Sequence, residues 1–214
     1  MKSKIQYILF DVSGTLLHKP ALYESILKVL KENGYKVTLE GIKQKHKLLS
    51  EIIHFPDKTN REFYKTFNAE LLYSLGILPN ETILEAIFSS CSYLPWEKYE
   101  DTQILSQIDL PMGIVSNFNS SLKEKLQLFF GPIFNTVLVS EEEGIAKPSL
   151  AFYTRAIEKI SVSPKNILYI GDSLKLDVDP AVKLGMNALH IDREGFYPNS
   201  KNAINDLKQI LNYL

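Results

Sequence analysis

Ile5-Gln6-Tyr7-Ile8-Leu9-Phe10-Asp11-Val12-Ser13-Gly14-Thr15 is the stretch on which the fold turns. Its first six residues are apolar except for Gln6, so neighbouring positions are hydrophobic rather than every second one. A strand reads this way when both of its faces are covered, as in the interior of a parallel sheet. The run stops at a carboxylate, and Gly14 follows within a short turn. Four later runs share this character: Met112–Val115, Thr136–Val139, Ile167–Ile170 and Asn187–Ile191. Helical patterns lie between and after them, at Ser120–Phe130, Leu150–Ile160, Pro180–Leu184 and Ala203–Leu211. The alternation predicts a Rossmann-like, doubly wound parallel sheet, an α/β core.

The rhythm breaks once. From Leu17 to Trp96 there is no strand-like run, and helical patterns occupy Ala21–Asn33, Leu39–Ile53, Arg61–Leu75 and Glu81–Ser90. Gly34, Gly41, Pro56 and the Gly76–Pro79 segment punctuate them. We read a core formed by residues 1–16 and 97–214, with an all-helical domain, residues 17–96, inserted after the first strand. The length of 214 residues agrees, because an α/β core alone needs only about 130.

Composition narrows the function. Lys and Arg number 24 against 25 Asp and Glu, a formal net charge of -1. A nucleic-acid binder needs a basic excess to displace counterions, so none is expected. The single cysteine, Cys91, excludes an internal disulfide and any Cys-rich zinc or iron–sulfur site. No stretch approaches the roughly 18 apolar residues of a membrane span, and the first run is too short for a signal peptide. The expectation is a cytoplasmic monomer or homodimer acting on a small anionic molecule.

Ligands of open α/β sheets bind beyond the carboxyl ends of the strands. The first run is followed there by Asp11-Val12-Ser13-Gly14-Thr15, and the second by Ser116-Asn117. The third is followed by a loop ending Ala146-Lys147-Pro148, and the fourth by Gly171-Asp172-Ser173 with Asp177 beyond. Each has an ordinary structural explanation as a helix cap, a turn or a loop. Together they bring carboxylates, a hydroxyl and an ammonium to one crevice, which structure alone does not require.

Such a crevice suits phosphoryl chemistry. Paired carboxylates repel, and a hard cation such as Mg²⁺ relieves this while also binding a substrate phosphate. Asp11 can then attack phosphorus and form an aspartyl-phosphate. Lys147 and the Ser116 hydroxyl can hold the phosphoryl oxygens, and Gly14 permits a tight turn with N–H groups aimed at the phosphate.

In order and spacing, these four motifs resemble those of the haloacid dehalogenase superfamily of hydrolases, and the resemblance covers nearly the whole chain. It implies that Asp11 is the nucleophile, and that Asp172 binds magnesium together with Asp11 and the backbone carbonyl of Ser13. It also implies that Asp177 supports the metal site or orients Lys147. Ser116 and the Asn117 backbone would bind the phosphoryl group, and Thr15 would brace the loop. The inserted helices resemble the family's four-helix cap.

Ser13 departs from the pattern. The family's phosphatases carry a second aspartate there, which protonates the leaving group and then activates water. A serine hydroxyl is no useful acid near neutral pH, and such help is worth about 10²–10⁴-fold. Three readings follow. The first is a Mg²⁺-dependent phosphohydrolase that is slow, restricted to good leaving groups, or supplied with an acid by the cap. The second is a metal-free 2-haloacid dehalogenase, whose halide leaves unprotonated; Tyr153, six residues past Lys147, fits that branch, whereas Asp172 does not. The third is a non-catalytic binding or regulatory protein. A phosphonatase-like variant of the first would use a cap lysine among Lys19, Lys28, Lys31, Lys43, Lys45, Lys47, Lys58 and Lys65, none distinguished by spacing.

Other residues read as structural. His18, His46, His54 and His190 share no metal-ligand spacing, and His18 reads as a hinge or surface residue. The Lys43, Lys45 and Lys47 stretch reads as a solvated helix face, Phe129, Phe130 and Phe134 as core, and Cys91 as a small apolar residue. Trp96 marks the return to the core, and Arg61 has no evident place.

Overall fold

A computed structural model describes residues 4–53, 55 and 59–214. The chain divides into two compact units, Met1–His18 with Lys98–Leu214, and Lys19–Glu97.

The first unit is built on a six-stranded parallel sheet. Its strands are β1 (Tyr7–Phe10), β4 (Met112–Ser116), β5 (Phe134–Val139), β6 (Ile167–Gly171), β7 (Asn187–Ile191) and β8 (Ala203–Ile204), in the spatial order β5-β4-β1-β6-β7-β8. Two short strands, β2 (Leu17–His18) and β3 (Glu97–Lys98), form a separate ribbon. Strand β1 is central. It aligns Phe10 with Ile114 on one side and with Ile170 on the other, and all four of its residues are buried. Tyr7 and Leu9 pack with Val115, Leu138 and Tyr169 beneath the helix Leu150–Ile160, through Phe152, Tyr153 and Ala156. A continuously apolar strand is therefore explained by burial on both faces. From β1 the strand order runs outward through β4 to β5, then restarts at β6 and runs the other way. The carboxyl end of β1 is thus the topological switch point, where such sheets bind ligands.

The second unit holds four helices, α1 (Leu22–Glu32), α2 (Leu39–Ile52), α3 (Arg61–Ser74) and α4 (Glu81–Cys91). Thr38, Asn60 and Asn80 cap α2, α3 and α4 by accepting N–H bonds three residues on. Helices α1 and α3 each pack against both α2 and α4. Ile26, Leu30, Ile42, Leu71, Leu72, Ile83 and Ile87 form their shared core. Among the described residues, no helix is long and apolar enough to cross a membrane.

Several expectations need correction. Ala203–Leu211 is not one helix: Ala203–Ile204 pairs with β7, and a 3₁₀ segment spans Leu207–Tyr213. The interval after Leu17 does contain strand, since β2 starts there. Phe129, Phe130 and Phe134 are half-buried ring neighbours rather than core. The Lys43–Lys47 stretch is half-buried, with His46 wedged edge-on between Tyr23 and Phe67. His54 and Lys58 lie outside the described residues.

Candidate active site

The loop after β1 is held by its own backbone. The Val12 carbonyl accepts N–H bonds from Thr15, Leu16 and Leu17, and the Gly14 N–H donates to the Leu17 carbonyl at 2.8 Å. Gly14 has φ +83, a conformation that favours glycine. A Cβ there would lie 2.4 Å from Asp172 Oδ2, so the Asp172 carboxylate closes directly over this turn. Asp11 is buried, and Thr15 Oγ1 donates to its Oδ2 at 3.4 Å.

Lys147 joins the motifs. It is 2% exposed, and its Nζ donates to Asp11 Oδ1 at 2.5 Å and to Asp177 Oδ1 at 2.7 Å. Burial alone would depress this ammonium, but the Asp11 and Asp177 carboxylates outweigh it and hold the group above its ordinary value. Asp11 moves the other way from a usual carboxylate. Burial, joined by the charges of Asp177 and Asp172, raises it to about 7 against the pull of Lys147.

Asp177 is committed on both oxygens. Oδ1 accepts from Lys147 and from the Tyr169 hydroxyl at 3.1 Å, and Oδ2 accepts the Ser173 N–H at 3.0 Å. A five-residue π-helical turn, Leu174–Val178, brings it back against Gly171, where an added Cβ would meet Asp177 Cγ at 2.3 Å. One oxygen each from Asp11, Asp172 and Asp177 lie within 4.8 Å of one another. With Asp177 engaged by Lys147, Tyr169 and Ser173, the carboxylates of Asp11 and Asp172 are the hard oxygen donors of this cluster, and a hard-oxygen set fits Mg²⁺.

Ser116 ends β4 and is buried. Next to it, Asn117 does more than the sequence suggested. Its Oδ1 accepts the Lys147 N–H at 2.7 Å and its Nδ2 donates to the Lys147 carbonyl at 3.1 Å, clamping the lysine backbone. Ser13 is exposed and bridges to Leu17 through its backbone. His190, also unassigned by spacing, is buried with Nε2 3.0 Å from the Asp172 carbonyl. Tyr153 is buried, donates its hydroxyl to the Leu176 carbonyl and packs on Tyr169, so its surroundings are those of a packing residue.

The remaining candidates have partners of their own. His18 stacks on Tyr99, Arg61 pairs with Glu85, and Lys19 sits over the Trp96 ring. Burial pushes the Cys91 thiol up, the reverse of an activated nucleophile. Lys65 pairs with Glu81, Lys47 with Glu51 and Lys28 with Glu32.

The parallel sheet thus gathers three carboxylates and one buried ammonium at its switch point. Residues 5–185 match the family model of the haloacid dehalogenase-like hydrolases, and the chain belongs to that family. The glyceraldehyde 3-phosphate phosphatase of Methanocaldococcus jannaschii is 24% identical over 229 aligned positions, covering 97% of this chain and 96% of that protein. Among solved structures, the hydrolase YfnB from Bacillus subtilis, bound to magnesium, is 21% identical with a TM-score of 0.70 over 99% of each chain. The L-2-haloacid dehalogenase of Xanthobacter autotrophicus is 19% identical with a TM-score of 0.63 over 96% of each chain. Both structural likenesses concern the fold. Neither separates phosphate from halide chemistry.

Proposed function

We propose that the protein is a Mg²⁺-dependent phosphohydrolase that cleaves a small phosphorylated metabolite through an aspartyl-phosphate on Asp11. The observation that carries this reading is Asp172, whose carboxylate stands with Asp11 and Asp177 in one cluster. A halide-displacing site has no use for that third charge, which instead suits a cation. The phosphatase relative from Methanocaldococcus jannaschii supports a phosphorylated substrate.

Asp11, the Ser13 carbonyl and Asp172 would hold the metal. When bound, Mg²⁺ supplies charge screening between the Asp11 carboxylate and an anionic substrate. Asp11 attacks phosphorus, forming a P–O bond to its carboxylate as the bond to the leaving oxygen breaks. Lys147 remains an ammonium and offsets charge on the equatorial phosphoryl oxygens, with the Ser116 hydroxyl and the Asn117 N–H as further donors. Asp177 and the Asn117 side chain orient Lys147, and Thr15 braces Asp11. The leaving oxygen takes its proton from solvent, because the Ser13 hydroxyl is too weak an acid to supply one near neutral pH. Water then attacks phosphorus, giving up a proton to solvent as the P–O bond to Asp11 breaks, which releases orthophosphate and the Asp11 carboxylate. Both protonation-dependent steps lack an internal acid and base, so turnover is slow or selective for good leaving groups.

Steady-state turnover of p-nitrophenyl phosphate, with Mg²⁺ and with chelator, tests this reading. Hydrolysis that needs Mg²⁺ and is abolished by Asp11→Asn supports it. Release of halide from a 2-haloacid by metal-free protein overturns it.

A further inference from the structure

Arg193 and Asp101 form an ion pair within the α/β unit that the reaction above leaves without a role. Arg193 Nη1 donates to Asp101 Oδ2 at 2.5 Å, and Nη2 donates to Asp101 Oδ1 at 3.1 Å. The same Nη2 donates to the Thr15 carbonyl at 2.8 Å. Asp101 Oδ2 also accepts the Leu207 N–H at 2.9 Å, which ties the pair to the C-terminal segment. The guanidinium lies 3.8 Å from the centre of the Tyr99 ring. That ring is stacked on His18 at 4.0 Å and 11°, and the Tyr99 N–H donates to the Leu16 carbonyl at 3.1 Å.

These contacts converge on residues 15, 16 and 18, at the far end of the Asp11 loop. They matter because Thr15 works in both directions. Its carbonyl receives Arg193, while its hydroxyl reaches Asp11 Oδ2. At its start the loop is tied to the sheet, where the Asp11 N–H donates to the Ile170 carbonyl at 2.9 Å; beyond that, the bonds onto the Val12 carbonyl and from Gly14 to Leu17 are local and do not tie its far end to the rest of the unit. We infer that Arg193 is a positioning residue. By clamping the Thr15 carbonyl and stacking on Tyr99, it fixes the far end of the Asp11–Leu17 loop, and through Thr15 it steadies the Oδ2 side of the Asp11 carboxylate, whose Oδ1 is held by Lys147. A planar guanidinium can serve a carboxylate, a carbonyl and an aromatic face together, whereas a lysine ammonium cannot. A nucleophile displaced by about 1 Å can lose on the order of 10²-fold in rate.

The catalytic part of this inference rests on the phosphohydrolase reading; the positioning part does not. The test therefore has two arms on wild type, Arg193→Gln, Arg193→Lys and Asp101→Asn. The first is amide hydrogen exchange at Leu16 and Leu17 in metal-free protein, with the β1 amides as internal control. The second is kcat and KM for p-nitrophenyl phosphate with Mg²⁺. Arg193→Gln and Asp101→Asn should speed Leu16 and Leu17 exchange by at least about tenfold without changing β1, and lower kcat by at least about tenfold with KM within about twofold. Arg193→Lys should recover resistance to denaturant but little kcat. Unchanged loop exchange in both Arg193→Gln and Asp101→Asn overturns the inference. So does kcat that tracks global stability and returns fully with lysine. If wild type hydrolyses no phosphate ester, the phosphohydrolase reading fails, and the exchange arm still decides the role of Arg193.

Discussion

Lys147 Nζ lies 2.5 Å from Asp11 Oδ1, although the two residues are 136 positions apart in the chain. Both are buried, so the pair shares its charge with little help from water. Removing one partner of such a pair leaves an uncompensated buried charge, at a cost of about 3–5 kcal/mol. Lys147→Met should therefore lower stability by about that amount in a denaturant titration. On the proposed mechanism it should also lower kcat by at least about 10²-fold, because a donor to the developing phosphoryl charge would be gone. A stable, active Lys147→Met protein would contradict the placement of this ammonium at the reacting centre.

Two glycines admit no side chain for reasons that lie in the site itself. Gly14→Ala combines a positive φ with a Cβ 2.4 Å from Asp172 Oδ2, and Gly171→Ala drives a Cβ to 2.3 Å from Asp177 Cγ. Backbone strain at the first position costs about 1–3 kcal/mol before the clash is counted. Both variants should lose at least about 10²-fold in activity while the far-ultraviolet dichroism of the fold is retained. Gly34→Ala shares that φ but has open space around its Cβ, so it should pay only the backbone strain of about 1–3 kcal/mol and remain fully active.

The acid sensitivity of the helical unit should trace to one residue. Burial against Tyr23 and Phe67, with Lys47 nearby, lowers His46 from 6.5 to about 4. The folded state then binds fewer protons than the unfolded state between those values, so stability falls as pH drops from 6.5 toward 4. At most about 3 kcal/mol is involved. Denaturant titrations at pH 7.5 and 4.5 should show a smaller difference for His46→Phe than for wild type. An equal pH dependence in both proteins would remove His46 as the cause.

Ser13→Asp addresses the missing acid. The position is exposed, so a carboxyl fits without repacking. If the acid is merely absent, kcat for alkyl phosphates should rise by about 10²-fold or more, and less for p-nitrophenyl phosphate, whose leaving group needs little help. No gain on either substrate would point to an acid supplied by the inserted helices.

The sequence was most legible where burial is simplest. Strands β1, β4, β6 and β7 show as apolar runs because both faces are covered, and the polar residues at their ends show because strand order brings those ends together. It was least legible where the local period misleads. Ile204, Leu207 and Ile210 are buried at three-residue spacing, which resembles one helix but belongs to a strand followed by a 3₁₀ segment. The Asn117 clamp on Lys147 and the Arg193–Asp101 pair span 30 and 92 residues of chain, so no local pattern announces them. His46 looked exposed because lysines flank it, yet its ring is held by aromatic neighbours from two other helical segments.

The central claim is that Asp11 carries the phosphoryl group during turnover. Wild-type protein mixed with p-nitrophenyl phosphate and Mg²⁺, quenched in acid within the first turnover and digested, can be mapped by mass spectrometry. The account predicts one added phosphoryl group on the peptide containing Asp11, absent from Asp11→Asn and from chelated samples. Turnover with no label on that peptide, or label at another residue, would contradict it.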